Sequence, residues 1–207
     1  MDKSVKQVFD APGFAAAYEN KTEKANWLGP DVMFGMSYRY VHAGEKILDM
    51  GIGTGLCSEL FHRAGLLVYG MDISAEMLKV AENKGFTEEL REHNLAETPY
   101  PYADNSMDHA VCGGVMHIFA DPSPIIREAA RIIRIGGVFA FCCLDGGDGE
   151  NIKTRHCDHE IHGHTQDFIG QRLSACQLKL CRTLSFIVDM PDCKQNFRAY
   201  VVKKVER

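Results

Sequence analysis

Asp49, Gly51, Gly53, Gly55 and Asp72 are the residues whose types and spacing could do chemistry. Asp49 lies near the end of a short apolar run, Lys46-Ile47-Leu48-Asp49-Met50, and the three glycines follow it at alternate positions. Glycine accepts positive φ and has no side chain to keep a ligand off the backbone. A helix starting behind such a bend offers free amides and the positive end of its dipole. A second apolar run, Val68 to Met71, ends in Asp72, where a carboxylate can accept hydrogen bonds from both hydroxyls of a ribose. The order strand, glycine turn, helix, strand, acid is the front half of a nucleotide-binding α/β sheet.

The glycine spacing separates two kinds of ligand. A dinucleotide site uses G-x-G-x-x-G to seat a pyrophosphate on the helix N-terminus. Here the third position of that pattern falls on Leu56, and Asp49 would repel a pyrophosphate. An NAD(P)-dependent oxidoreductase is therefore the weaker reading. A ligand with positive charge and no phosphate suits Asp49, and S-adenosyl-L-methionine, with its sulfonium and α-ammonium, is such a ligand.

The segments ILDMGIGTGLCSEL, YGMDISAEMLKVAENKG and ETPYPYADNSMDHAVCGGVMHIFADPSPIIREAARIIRIGGVFAFC together resemble the class I S-adenosylmethionine-dependent methyltransferases, of the small-molecule type. The likeness covers roughly residues 40–145. It implies a single Rossmann-like, doubly wound sheet, mostly parallel with an antiparallel C-terminal strand, behind a small N-terminal helical cap. It implies S-adenosyl-L-methionine as cofactor, S-adenosyl-L-homocysteine as product and a small-molecule methyl acceptor. Carried over by residue, Asp49 and the backbone of Gly51, Gly53 and Gly55 would hold the methionine part. Asp72 would take the ribose hydroxyls, with Ile73 and Met77 against the adenine. Asn94 and Leu95 would meet the adenine edge; Asn94 departs from the family's usual Asp, although an amide oxygen can still accept from the adenine amino group. Cys112 and Gly113 would close the fourth strand beside the methionine portion. Tyr18 or Trp27 would lie over the cofactor, with core packing as the alternative for both. A non-catalytic cofactor-binding protein that kept the fold is the rival reading from another class.

Catalytic candidates are histidines. The run Arg155-His156-Cys157-Asp158-His159-Glu160-Ile161-His162-Gly163-His164 follows the fifth strand and so emerges at the glycine-turn edge of a parallel sheet. Three readings compete: a metal site, although the spacing matches no standard zinc pattern; a general base titrating near 6.5; and a polar loop that covers the cleft. In related enzymes a histidine sometimes precedes the helix that begins here at Thr165, which singles out His164. His117, after the fourth strand, is either substrate-facing or a packing residue.

These residues need elements to hold them. The pattern predicts helices over 13–26 and 30–41, a strand at 46–50, a helix at 54–64, a strand at 66–72 and a helix at 75–83. It further predicts a short strand at 89–93 and another at 107–113. Asp121 should cap a helix whose apolar face is Ile125, Ile126, Ala129, Ile132 and Ile133. Val138–Leu144 reads as a buried parallel strand, 165–176 as a helix, and 178–188 with 197–205 as a closing antiparallel pair.

The chain divides into a cap (1–43), a cofactor core (44–145) and a substrate-side loop with closing strands (146–207), all one domain. Hydrophobic content of 45% and charged content of 25% are those of an ordinary globular protein. A net charge of −5 makes nucleic acid a poor partner. No apolar run is long enough to span a bilayer, and the first residues lack the apolar core of a signal peptide. Eight cysteines without paired C-x-x-C spacing point to reduced thiols and a cytoplasmic setting.

Overall fold

The computed structural model describes residues 3–147, 152–156, 159–189 and 194–206. These residues form nine strands and seven α-helices. The central sheet contains β1 (Lys46–Met50), β2 (Leu67–Asp72), β3 (Thr87–Glu92), β4 (His109–Cys112), β5 (Val138–Leu144), β8 (Leu178–Asp189) and β9 (Lys194–Lys204). Their spatial order is β3-β2-β1-β4-β5-β9-β8. The first five run parallel, with Leu48 beside Tyr69 on one flank and Ala110 on the other. Strand β9 enters antiparallel between β5 and β8, pairing Ala140 with Val201. This is the class I methyltransferase arrangement. The chain winds outward from β1 to β3, then returns to β4, so the sheet's topological switch lies between β1 and β4.

Two apolar layers explain why each strand reads as it does. Strand β5 is buried along its whole length and carries no polar side chain, as a parallel strand covered on both faces must. On one face Phe139, Phe141 and Tyr200 stack with ring centroids 4.9 Å apart. They are covered by α6 (Ser123–Ile132) and α7 (Gln166–Ala175), through Ile125, Ile126, Ala129, Ile169 and Leu173. On the other, Ile47, Val68, Val111 and Ala140 meet α3 (Gly29–Ser37), α4 (Ser58–Arg63) and α5 (Ala75–Asn83) through Met33, Phe61 and Leu78. Helix α6 starts at Ser123 with Pro122, not Asp121, as its N-cap residue, so Asp121 sits one residue too early to cap it; α7 is capped by Thr165, which the sequence reading placed inside the helix. Asp121 Oδ1 accepts from the Ser123 amide at 3.0 Å, and Thr165 Oγ1 accepts from the Phe168 amide at 3.2 Å.

Strands β1 and β5 and helix α5 match their sequence-predicted bounds. Helix α4 does not: it begins at Ser58 rather than Thr54. Gly51, Gly53 and Gly55 all take positive φ, at +80°, +54° and +88°, and a right-handed helix cannot run through such residues. The histidine-rich segment, one reading of which was a loop, contains a hairpin of β6 (Ile152–His156) and β7 (His159–Gly163). Cys157 and Asp158 lie outside the described residues. Two further helices, α1 (Lys3–Phe9) and α2 (Phe14–Lys24), form the N-terminal cap, and α1 has no counterpart in the sequence reading. Among the described residues no helix is long and apolar enough to cross a membrane.

Candidate cofactor site

The carboxyl ends of β1, β2 and β4 open into a cleft of about 500 Å³, its solvent-open mouth included. Its floor is the glycine turn. A Cβ on Gly51 would sit 2.5 Å from Val115 Cγ2, and one on Gly53 would sit 3.5 Å from Met77 Cε. Both glycines line the cleft. Gly55 does not; a Cβ there would lie 2.6 Å from the Phe86 ring, so its lack of a side chain serves packing beneath the turn.

Asp72 projects from the end of β2 into this cleft. Its Oδ2 accepts from the Gly53 amide and its Oδ1 from the Ser74 amide, each at 2.9 Å. These bonds fix the carboxylate's orientation and leave lone pairs on both oxygens. Burial pushes its pKa up, and the amides of Ser74, Gly53 and Ile73 oppose that shift. Ile73 and Met77 line the cleft beside it, as does Leu95 from the loop after β3. Gly113 forms the wall at the end of β4. Ser74 holds this corner together: its Oγ accepts from the Met77 amide at 3.2 Å and donates to Asp10 Oδ1 at 2.6 Å. Ser74→Ala should therefore lower stability by about 0.5–2 kcal/mol through the lost helix cap. A urea titration with an unshifted midpoint would refute that assignment.

Of the residues covering the cleft, the sequence reading named Tyr18 and missed Phe9. Phe9, at the end of α1, and Tyr18, on α2, both line it. Phe9 stands edge-on to Phe14 at 5.3 Å and to Tyr18 at 6.5 Å. Burial, with the charge of Asp72 nearby, pushes the Tyr18 hydroxyl up to about 12. The cap is tied to the ribose corner by Lys6, whose Nζ donates to Ile73 O at 2.7 Å and pairs with Glu92 and Asp10 at 2.9 Å. The only local signal for this tie was the Lys6–Asp10 spacing of four. Val115 and Ile118 complete the wall.

Five of the sequence-predicted cofactor residues lie outside the lining: Asp49, Gly55, Asn94, Cys112 and Trp27. Asp49 is 1% exposed behind the turn. Burial pushes its carboxyl up to about 7; Ser58 opposes the shift and the charge of Asp72 adds to it. Asn94 is engaged locally, accepting from the Ala96 amide at 3.1 Å and donating to Glu97 at 3.1 Å. Cys112 is wholly buried. The Trp27 ring packs against Phe197 and Phe186, at 5.1 and 5.9 Å, and backs onto Gly114 of the cleft wall.

The two histidines differ sharply. His117 sits on the 3-10 turn Met116–Ile118, next to cleft-lining Ile118, with its ring edge-on to Phe197 at 5.4 Å. His164 is fully buried. Its Nε2 donates to Met116 O at 3.3 Å, its ring stacks on Phe168 at 5.3 Å, and burial lowers its pKa. A neutral imidazole in that position fastens the end of β7 to the turn that carries His117. Among the described residues no three His, Cys, Asp or Glu side chains gather as metal ligands.

Comparison with known proteins places this geometry. Residues 48–141 match the family model described as a methyltransferase domain. The chain is 31% identical over 102 residues to the demethylmenaquinone methyltransferase of Tropheryma whipplei strain Twist, covering 49% of this chain and 43% of that one. It is 31% identical over 110 residues to the ubiquinone biosynthesis O-methyltransferase of Proteus mirabilis, with the same coverage. The chain thus spans less than half the length of these curated relatives. Among solved structures, magnesium protoporphyrin IX methyltransferase from Synechocystis with bound S-adenosylmethionine superposes with a TM-score of 0.71 at 18% identity, over 98% of each chain. A methyltransferase in complex with the Haloferax volcanii Trm112 methyltransferase activator gives 0.78 at 18% identity, over 98% of each.

Proposed function

We propose that this chain, whose residues 48–141 match a methyltransferase-domain model, transfers a methyl group from S-adenosylmethionine to a small-molecule acceptor. The observation that carries the reading is Asp72. It is held by two backbone amides at the end of β2, faces the glycine turn and lies under an aromatic cover. A buried carboxylate with spare lone pairs suits the two hydroxyls of an adenosyl ribose. Ile73, Met77 and Leu95 offer an apolar slot for the adenine, and the backbone of Gly51, Gly53 and Gly113 receives the amino-acid part. The turn lacks the G-x-G-x-x-G spacing that seats a pyrophosphate, Leu56 standing at its third glycine position, which speaks against a nicotinamide cofactor.

When bound, the cofactor supplies an electrophilic methyl group. The protein's own task is alignment and exclusion of water, which can supply ~7–11 kcal/mol of a barrier. Phe9 and Tyr18 keep solvent from the cofactor side. His117 is the titratable group beside the wall that an acceptor would approach, and it would take a proton from an acceptor hydroxyl or amine. His164 acts through Met116 O by holding that turn in place, a positioning role. The relatives named demethylmenaquinone methyltransferase and ubiquinone biosynthesis O-methyltransferase make a small organic acceptor the natural class. We read residues 1–43, 44–145 and 146–207 as cap, cofactor core and acceptor side of one unit, working in the cytoplasm.

Melting temperatures with S-adenosylmethionine, S-adenosylhomocysteine, NAD and NADP test the cofactor. The first two should raise the midpoint, since ligand bound only to the native state stabilises it by RT ln(1 + [L]/Kd). A shift with NAD or NADP alone would overturn the reading. Radiolabelled methyl transfer into small molecules of a cell extract tests the activity. Binding without transfer to any acceptor would favour a non-catalytic binder.

A further inference from the structure

The acid behind the glycine turn has no counter-charge. Both carboxylate oxygens of Asp49 are buried without a hydrogen-bond partner, as are Thr54 Oγ1 and Ser58 Oγ on the same connection. Around Asp49 stand Asp72 from β2, Cys57 beside α4 and Cys112 from β4; Cys142 of β5 faces both thiols and Asp31 of α3 faces Cys57. All of these are acids or thiols. Burial holds the thiols of Cys57 and Cys112 well above their ordinary value, so they remain neutral. Ser58 lies near enough to favour the anion without closing a hydrogen bond of normal geometry. No Lys, Arg or His among the described residues pairs with Asp49.

A carboxylate taken from water into such a place, with no partner, is strongly disfavoured against its neutral form. We infer that Asp49 carries a proton in the ligand-free protein and gives it up to solvent when a cationic adenosyl ligand enters the cleft. The proton leaves the carboxyl oxygen and the ligand's positive charge replaces it as counter-ion, so charge balances with no other reactant. Cofactor uptake is then proton-linked, and acidification weakens it. This inference rests on the S-adenosylmethionine reading above.

Below a pKa of about 7, binding must first expel the proton, and above it the cost vanishes. The dissociation constant should fall about fivefold between pH 6 and pH 7, a window below the titration of an α-amino group near 7.7–8.0. The ligand-free protein should show the opposite trend in stability. The folded state binds this proton more tightly than the unfolded chain does. That stabilisation is therefore complete below the ordinary carboxyl pKa of ~3.9 and is lost as pH rises through about 7.

Calorimetry at pH 6 in two buffers of different ionisation enthalpy reads the proton directly. Wild-type protein should release close to one proton per S-adenosylmethionine, and Asp49→Asn close to none, with a flattened pH dependence. Release that persists in Asp49→Asn would assign the proton to Asp72 and overturn the inference. Binding of S-adenosylmethionine with no proton release would overturn it alone. No binding at any pH would overturn the cofactor reading itself, and this inference with it. Melting of the ligand-free proteins gives a readout without ligand: wild type should lose stability from pH 5 to pH 8 relative to Asp49→Asn. Parallel profiles would count against a protonated Asp49.

Discussion

Asp72→Ala should raise the dissociation constant for S-adenosylmethionine by about 5- to 150-fold. The substitution removes the carboxylate that lines the cleft at the ribose corner and leaves two buried hydroxyls unpaired, at ~1–3 kcal/mol. It also frees the amides of Gly53 and Ser74, which Asp72 accepts at 2.9 Å each, so some loss of stability accompanies it. Asp72→Asn keeps one acceptor oxygen and should fall between wild type and alanine. Calorimetric titration well below the melting temperature separates the two effects. A folded Asp72→Ala protein with an unchanged constant would remove Asp72 from the site.

Gly51→Ala should damage both folding and binding. At φ +80° an L-residue pays about 1–2 kcal/mol for the left-handed conformation. The new methyl would also lie 2.5 Å from Val115 Cγ2. Val115 lines the cleft, so any shift that relieves this contact reshapes the wall. Cofactor affinity should therefore fall at least about tenfold, or ~1.4 kcal/mol, and the urea midpoint should drop. The same change at Gly35, where no atom lies within 4 Å of the added carbon, is the control and should leave affinity unchanged. Normal affinity in Gly51→Ala would mean that the turn's backbone does not shape the site.

The contrast between the three turn glycines shows what spacing can and cannot say. Gly51, Gly53 and Gly55 look alike in sequence, and all three adopt positive φ. Two face the cleft, and the third leaves room for Phe86. The histidines make the same point. Next to Thr165, His164 is the first choice for a catalytic histidine by position, yet it is buried with its Nε2 on Met116 O.

Local pattern determined the order of the five parallel strands and the helices between them, the acids at the ends of β1 and β2 and the apolar run of β5. Each of these depends on residues within one turn or one strand of each other, where spacing and side-chain type decide the outcome. Only the tertiary structure decided that α1 closes over the cleft, that Phe9 helps cover it and that Asp49 stands behind the turn without a cation. Those outcomes depend on pairs far apart in the chain, such as Lys6 with Glu92 and His164 with Met116. Solvent exclusion and the balance of neighbouring charges are set there by packing, to which periodicity along the chain is blind.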